Sequence, residues 1–188
     1  MKVGGVAVCL FLLGAAPLYA ADTPRVDLSG GYSFMHDTDR NEDFSAGWFL
    51  SVAGNVTPWI GVAVEGGANS RVCRNCQTGP FTTARSRGTD LKLRVYTWMA
   101  GPRFASHAIS AVTPFAQVLF GGSHMSGGTQ FGGALTGGIT YQPGVGVDLN
   151  VMPRVGIRLQ GDYRVIRTQG HDSKESRFLA GVVVRSGQ

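Results

Sequence analysis

Beyond Ala16 the chain has no apolar run approaching the ~20 residues of a membrane-spanning helix, which excludes a helical membrane bundle. Charge is scarce as well. Asp, Glu, Lys and Arg make up 15% of the chain, and the net +5 is spread along it. A concentrated basic face, the mark of a nucleic-acid binder, is missing. Past Cys9 only Cys73 and Cys76 remain, two ligands short of a four-cysteine zinc site. Helical periodicity is lacking throughout. What is present instead is 43% hydrophobic residues, 28 glycines and 10% aromatics, a composition that points to β-structure.

The N-terminus carries the three parts of a secretory signal: Met1-Lys2, an apolar stretch from Val3 to Ala16, then Pro17 and Leu18-Tyr19-Ala20. Residues 1–20 are therefore expected to be a signal peptide cleaved after Ala20, although Leu18 is larger than the small residue preferred there. The run is too short for an uncleaved anchor, and Val8 spoils lipoprotein processing at Cys9. Residues 21–188 are expected to form one domain.

Within that domain apolar and polar residues alternate, the signature of half-buried strands. Val26, Leu28, Tyr32 and Phe34 interleave with Asp27, Ser29 and Ser33. Phe44, Ala46, Trp48, Leu50 and Val52 interleave with Ser45 and Ser51. Val62 and Val64 oppose Glu65, and Leu91, Leu93, Val95 and Met99 oppose Lys92 and Arg94. Further segments start near Val112, Leu135, Val155 and Arg177, the cleanest setting Ile157, Leu159 and Tyr163 against Arg158, Asp162 and Arg164. Eight runs of ~10 residues suit tilted strands of a membrane barrel. Connectors alternate in length: short at Asn55 to Pro58 and Asn150 to Pro153, intermediate from Pro102 to Ala111. They are long at His36 to Asp43, Asn69 to Thr89, Ser123 to Gly133 and Thr168 to Glu175. An even strand count gathers the long loops at one end. Pro143-Gly144 is expected to mark a bulge, because proline cannot donate to a ladder.

Alternation alone leaves the inside undecided, since a soluble eight-stranded cup such as a lipocalin turns its apolar face inward. Aromatics toward strand ends (Tyr32, Phe34, Trp48, Trp59, Tyr163) and nine charges on the opposite face favour a lipid-facing apolar surface. The expected fold is all-β: an eight-stranded antiparallel up-and-down transmembrane β-barrel.

Four stretches carry a resemblance: Asn55-Val56-Thr57-Pro58-Trp59-Ile60-Gly61, Thr113-Pro114-Phe115-Ala116-Gln117, Pro153 through Tyr163, and Gly181-Val182-Val183-Val184-Arg185. In pattern the chain resembles the OmpA-like family of small outer-membrane barrels, here the membrane domain only. The resemblance implies an outer-membrane location, insertion by the barrel-assembly machinery with periplasmic chaperones, and a periplasmic N-terminus. Such last strands usually end in an aromatic residue. This chain ends Ser186-Gly187-Gln188, so recognition is expected to rest on Phe178, Val182 and Val184.

Several constellations could carry chemistry. Cys73 and Cys76, three apart in an exported loop, are expected to form a local disulfide. The loop arginines Arg71, Arg74, Arg85 and Arg87 could meet lipopolysaccharide phosphates. His36, His124 and His171 fall near one end, yet no metal or other cofactor is expected. His124-Met125-Ser126 resembles the His-x-Ser arrangement of outer-membrane lipid A deacylases, without an evident carboxylate to orient the histidine. The strongest constellation is the charged inner face. An eight-stranded lumen is just filled by side chains, and charges there must pair. Glu65, Arg94, Asp148 and Arg158 are expected to form one connected ionic plug, with Asp162 and Arg185 at its margins. Asp148 and Arg158 should be near-diagonal partners across the turn at Met152. The expected function is structural or surface-interactive, non-enzymatic and monomeric, with lipid and lipopolysaccharide as partners and no nucleic acid. The alternatives are a narrow, porin-like channel for ions or small solutes and a lipid-modifying enzyme.

Overall fold

The computed structural model describes residues 25–39, 42–73, 91–126, 137–168 and 171–186. Among these there are nine strands: β1 (Val26–Asp37), β2 (Glu42–Phe44), β3 (Ala46–Asn55), β4 (Ile60–Cys73), β5 (Leu91–Ala105), β6 (Val112–Ser126), β7 (Gly137–Met152), β8 (Val155–Thr168) and β9 (His171–Ser186). Each pairs antiparallel with its neighbour, and β9 returns to β1 from Val26↔Ser186 to Asp37↔Glu175. The sheet is thus a closed up-and-down barrel of eight staves, one of them broken into β2 and β3. Closure pairs β1 and β3 to β9 on both sides, the condition for crossing hydrocarbon with strands, while the short β2 pairs with β1 alone among the described residues.

The broken stave is a bulge. Met35 pairs with Phe44 and Tyr32 with Trp48, so three steps along β1 face four along β2 and β3. One extra residue reverses the side-chain phase. Phe44, expected beside Trp48 on the lipid face, therefore turns inward against Met35 and Val95. The Tyr32 hydroxyl donates to the carbonyl of Ser45 at the break.

Burial decides which face is inside. Leu28, Leu50, Val62, Val64, Val145, Leu159 and Val182 are exposed, whereas Asp27, Ser51, Glu65, Asp148, Arg158 and Arg164 are buried. That is the inverse of a soluble cup. On β5 the expected faces are reversed: Val95 and Met99 point in, Trp98 points out, and Arg94 is exposed. Read only as far as Met99, the segment offers Val95 and Met99 as its apolar face. β5 continues to Ala105, adding Phe104 to the outer face and Arg103 to the inner one, and the register of both neighbouring strands fixes that phase.

Proline positions account for two further departures. Pro102 lies inside β5 rather than in a connector, and the ladder to β6 skips Gly101 and Pro102 without a change of register. Pro143 likewise sits inside β7 with no bulge. Its ladder to β6 is unbroken, while rungs to β8 are absent at Gln142 and Pro143, so the missing donor falls on the β8 side. The irregularity between β7 and β8 lies instead at Asn150/Met152.

Staves of 14 to 16 residues from β4 to β9 exceed the ~10 that cross a bilayer. They do so by extending into the expected loops. The segment from Thr168 to Glu175 is mostly strand, with Thr168 paired to His171. At the opposite, turn end, the hairpin from β3 to β4 is closed by Val56 N–H and Thr57 N–H to the Ile60 carbonyl at 2.9 and 3.0 Å. Trp59 stacks on Phe104 beside it. The narrow wall demands close backbone approach at the closing seam. Gly31 faces Gly181, and a Cβ on either would lie 2.3 Å from a carbonyl oxygen of the other strand.

Candidate functional site: the ionic lumen

Eleven charged side chains are buried among the described residues: Asp27, Asp37, Glu65, Asp148, Asp162, Glu175, Arg103, Arg158, Arg164, Arg177 and Arg185. They arrive there through strand parity, every second residue of each stave pointing into a lumen that side chains fill. Ten of them form two layers, and Asp37 lies opposite Glu175 at the loop end.

The turn-end layer is built on Asp148. Arg158, directly opposite it on β8, holds both its oxygens, Nε to Oδ1 at 2.7 Å and Nη2 to Oδ2 at 2.8 Å. This fork-to-fork geometry is the strong form of the pair. The remaining Arg158 nitrogen donates to Ser29 Oγ at 2.7 Å. Arg185 Nη2 and Arg103 Nη2 reach the same Asp148 Oδ2 at 3.1 and 3.3 Å. Asp27 lies 3.7 Å from both Arg103 and Arg185. Phe115 stands between two guanidiniums, its ring centre 4.1 Å from Arg103 Cζ and 4.7 Å from Arg158 Cζ.

The loop-end layer is built on Arg177, which donates to Glu65 and, through Nε and Nη2, to Asp162 Oδ2 at 3.2 and 3.1 Å. Gln160 donates to both Asp162 oxygens at 2.9 and 3.1 Å, and Gln142 donates to Glu65 at 3.3 Å. Arg164 donates through Nε to Gln142 Oε1 at 2.8 Å and lies 3.6 Å from Glu175. Gly144 makes room for the carboxylate: a Cβ there would lie 2.0 Å from Asp162 Oδ1. Among the described residues no ion pair joins the two layers. Ser51 and Gln117 occupy rungs that link them, Ser29↔Ser51↔Glu65 and Arg103↔Gln117↔Gly144. The Ser51 hydroxyl and both polar atoms of the Gln117 amide are buried without a hydrogen-bond partner.

Of the residues expected in one plug, Asp148, Arg158 and Arg185 meet in the turn-end layer, and Glu65 and Asp162 in the loop-end layer. Asp148 and Arg158 are directly opposed rather than diagonal. Arg94 does not belong with them: the outward phase of β5 exposes it, and Arg177 takes its place beside Glu65. Sequence reasoning missed Arg103, left in a connector, and Arg177 and Glu175, for which no face was assigned. Parity would have found the last two, because stepping back by twos from Arg185 reaches Arg177 and Glu175.

Cys73 ends β4, while its side chain, Cys76 and the loop arginines Arg74, Arg85 and Arg87 lie outside the described residues. His36 Nδ1 is 2.7 Å from Asp43 Oδ1, and no group of three or more metal-capable side chains gathers among the described residues. His124 sits near the loop end of β6, but the side chain of Ser126 lies outside the described residues.

No protein of curated function matches the chain in sequence. Among solved structures, the fold is similar to Neisserial surface protein A, 17% identical, with 85% of this chain and 95% of that one covered at a TM-score of 0.59. OprG from Pseudomonas aeruginosa is 9% identical, with 88% and 97% covered and a TM-score of 0.58. Ail, the attachment invasion locus protein of Yersinia pestis, solved with the heparin analogue sucrose octasulfate, is 16% identical, with 85% and 95% covered and a TM-score of 0.55. At such identities the likeness is one of fold. The sequence itself matches the outer membrane protein beta-barrel domain over residues 6–185, and the chain belongs to that family of outer-membrane barrels.

Proposed function

We propose that the protein is a structural or surface-interaction barrel of the outer membrane, non-enzymatic and monomeric, whose lumen is held shut by its ionic layers. Its partners are the lipid around it and the molecules its loop end meets. Export through a signal peptide over residues 1–20 belongs to the same proposal. The observation that carries it is the Asp148 centre, where three guanidiniums converge on one carboxylate across the lumen. A solute would have to break that layer and then the second one. Planar-bilayer recording tests the idea: the unmutated protein should give no steady conductance steps. Large open steps from it would reject the closed lumen.

A narrow channel for ions or small solutes is the second reading. It is favoured by the unmade hydrogen bonds of Ser51 and Gln117 on the rungs between the layers, since buried polar atoms without protein partners invite water. Small, ion-selective conductance steps from the unmutated protein would support it over the closed barrel.

A further inference from the structure

Arg94 is a β5 cation that the lumen does not use. It faces outward, and no partner for it is found among the described residues. Phe104, stacked on Trp59 at the turn end, lies ten positions away on the same outer face of β5. At ~3.4 Å per residue and a tilt near ~40°, that separation is about 25 Å, the height of a barrel's apolar band. Arg94 therefore stands at the loop-side edge of the band, at the level of lipid phosphates.

A cavity of about 350 Å³ opens there, bounded by Trp48, Ala68, Ser70, Arg94 and Tyr96. Register explains its shape. Three successive outward rungs cross β3, β4 and β5: Ala46–Ser70–Arg94, Trp48–Ala68–Tyr96 and Leu50–Gly66–Trp98. In the lower two, a small residue on β4 lies between two large ones. Ala68 is only 8% exposed although it faces outward, because it forms the floor between Trp48 and Tyr96. At Gly66 a Cβ would meet nothing closer than 3.8 Å, so the groove continues downward into the apolar band. Below it Val64, 56% exposed, closes the end.

We propose that this groove seats one molecule of lipopolysaccharide, a phosphate on Arg94 and an acyl chain along Ala68 and Gly66. The polar edge and the apolar trench are continuous, which matches an amphipathic occupant and no soluble anion. An unpaired guanidinium offers a bidentate fork to phosphate, and Ser70 adds a hydroxyl beside it. The aromatic walls suit the interface between headgroup and acyl chain. The groove opens at the long-loop end, which in this family faces outward, and the anionic lipid of that leaflet is lipopolysaccharide. The seat deepens the lipid part of the proposed function and is independent of the closed lumen. Lipid binding and conductance therefore fail separately.

The test is a titration of the full-length folded barrel in neutral maltoside micelles, read by tryptophan emission, since Trp48 and Trp98 wall the groove. The probes are deep-rough lipopolysaccharide, the same material after phosphatase treatment, and phosphatidylglycerol. Arg94→Gln should weaken lipopolysaccharide binding at least about tenfold, a charge-assisted bond being lost. Gly66→Leu, whose Cβ would meet nothing closer than 3.8 Å and whose side chain extends into the trench, should weaken it comparably. Arg167→Gln, at an exposed arginine paired with Asp172, should leave it unchanged. The heat-dependent gel shift of a folded barrel confirms that each variant is intact. Undiminished binding by folded Arg94→Gln, or by the dephosphorylated probe to the unmutated protein, overturns the phosphate seat. Equal affinity for phosphatidylglycerol overturns the assignment to lipopolysaccharide.

Discussion

The two ends of the lumen face the same electrostatic problem with opposite excess. In the turn-end layer Arg103, Arg158 and Arg185 share two carboxylates, Asp27 and Asp148. In the loop-end layer Glu65, Asp162 and Glu175 share two guanidiniums, Arg164 and Arg177. Asp37 adds a further carboxylate opposite Glu175. The turn-end layer thus has cations in excess and the loop-end layer carboxylates, and each supplies a neutral group of the needed polarity. Where cations are in excess, the π-face of Phe115 lies against two of them. Where carboxylates are in excess, the amides of Gln142 and Gln160 donate to them. A lumen can thus be filled with charge without matching every acid to a base, provided dipoles and quadrupoles cover the remainder.

The largest expected effect breaks the symmetry between the layers. Asp148→Ala leaves three buried guanidiniums with Asp27 alone, and should cost ~3–5 kcal/mol. Glu65→Ala should cost less, because it removes a carboxylate from the end where carboxylates are in excess, and Arg177 keeps Asp162. Urea unfolding of the two variants in lipid vesicles, followed by tryptophan emission, compares them directly. Equal losses would mean that the excess charges are not what distinguishes the layers.

A smaller effect separates the lumen from the lipid face. Val62→Arg places a charge within the apolar band and should cost ~2–4 kcal/mol, as guanidiniums do near mid-membrane. Ser51→Ala, on the same rung as Glu65, should change stability by less than ~1 kcal/mol, since its hydroxyl has no hydrogen bond to lose. The same urea titration measures both. A tolerated arginine at position 62 would reverse the orientation of the wall.

The comparison also marks what could be read from sequence. Strand number, closure and the inner face of β1, β4, β7 and β8 follow from parity, because period 2 survives wherever a stave runs without interruption. Parity failed where a stave was cut short or shifted. Ending β5 at Met99 hid Arg103 and Phe104, and with them the evidence that Arg94 faces out. The one-residue bulge after Phe44 inverted that residue, and nothing in Phe44-Ser45-Ala46 announces an extra residue. Pro143 suggested a bulge because its missing donor was assumed to need one, whereas the sheet drops two rungs and keeps its register. The split into two layers depends on which side chains meet across the lumen, and such contacts between distant staves leave no local trace. Arg177 and Glu65 are an example, separated by 112 positions and joined only by barrel closure.

The smallest effect tests the substitution of a neutral group for a charge. If the Phe115 ring carries part of the Arg103 charge at 4.1 Å, removing ring and guanidinium together should cost less than the two separate losses. In a double-mutant cycle of Phe115→Leu and Arg103→Leu the coupling should be ~0.5–2 kcal/mol, the range of cation–π pairs from exposed to desolvated sites. Phe115→Leu keeps an apolar side chain on the inner face, so the cycle reports the π-face more than the volume. Gln160→Leu supplies the control from the other layer. It removes the amide nitrogen that donates to both Asp162 oxygens, and its cost should add to that of Arg103→Leu within ~0.5 kcal/mol, because no ion pair among the described residues joins the layers. Zero coupling between Phe115 and Arg103 would show that the ring only fills space. Strong coupling between Gln160 and Arg103 would show that the two layers act as one.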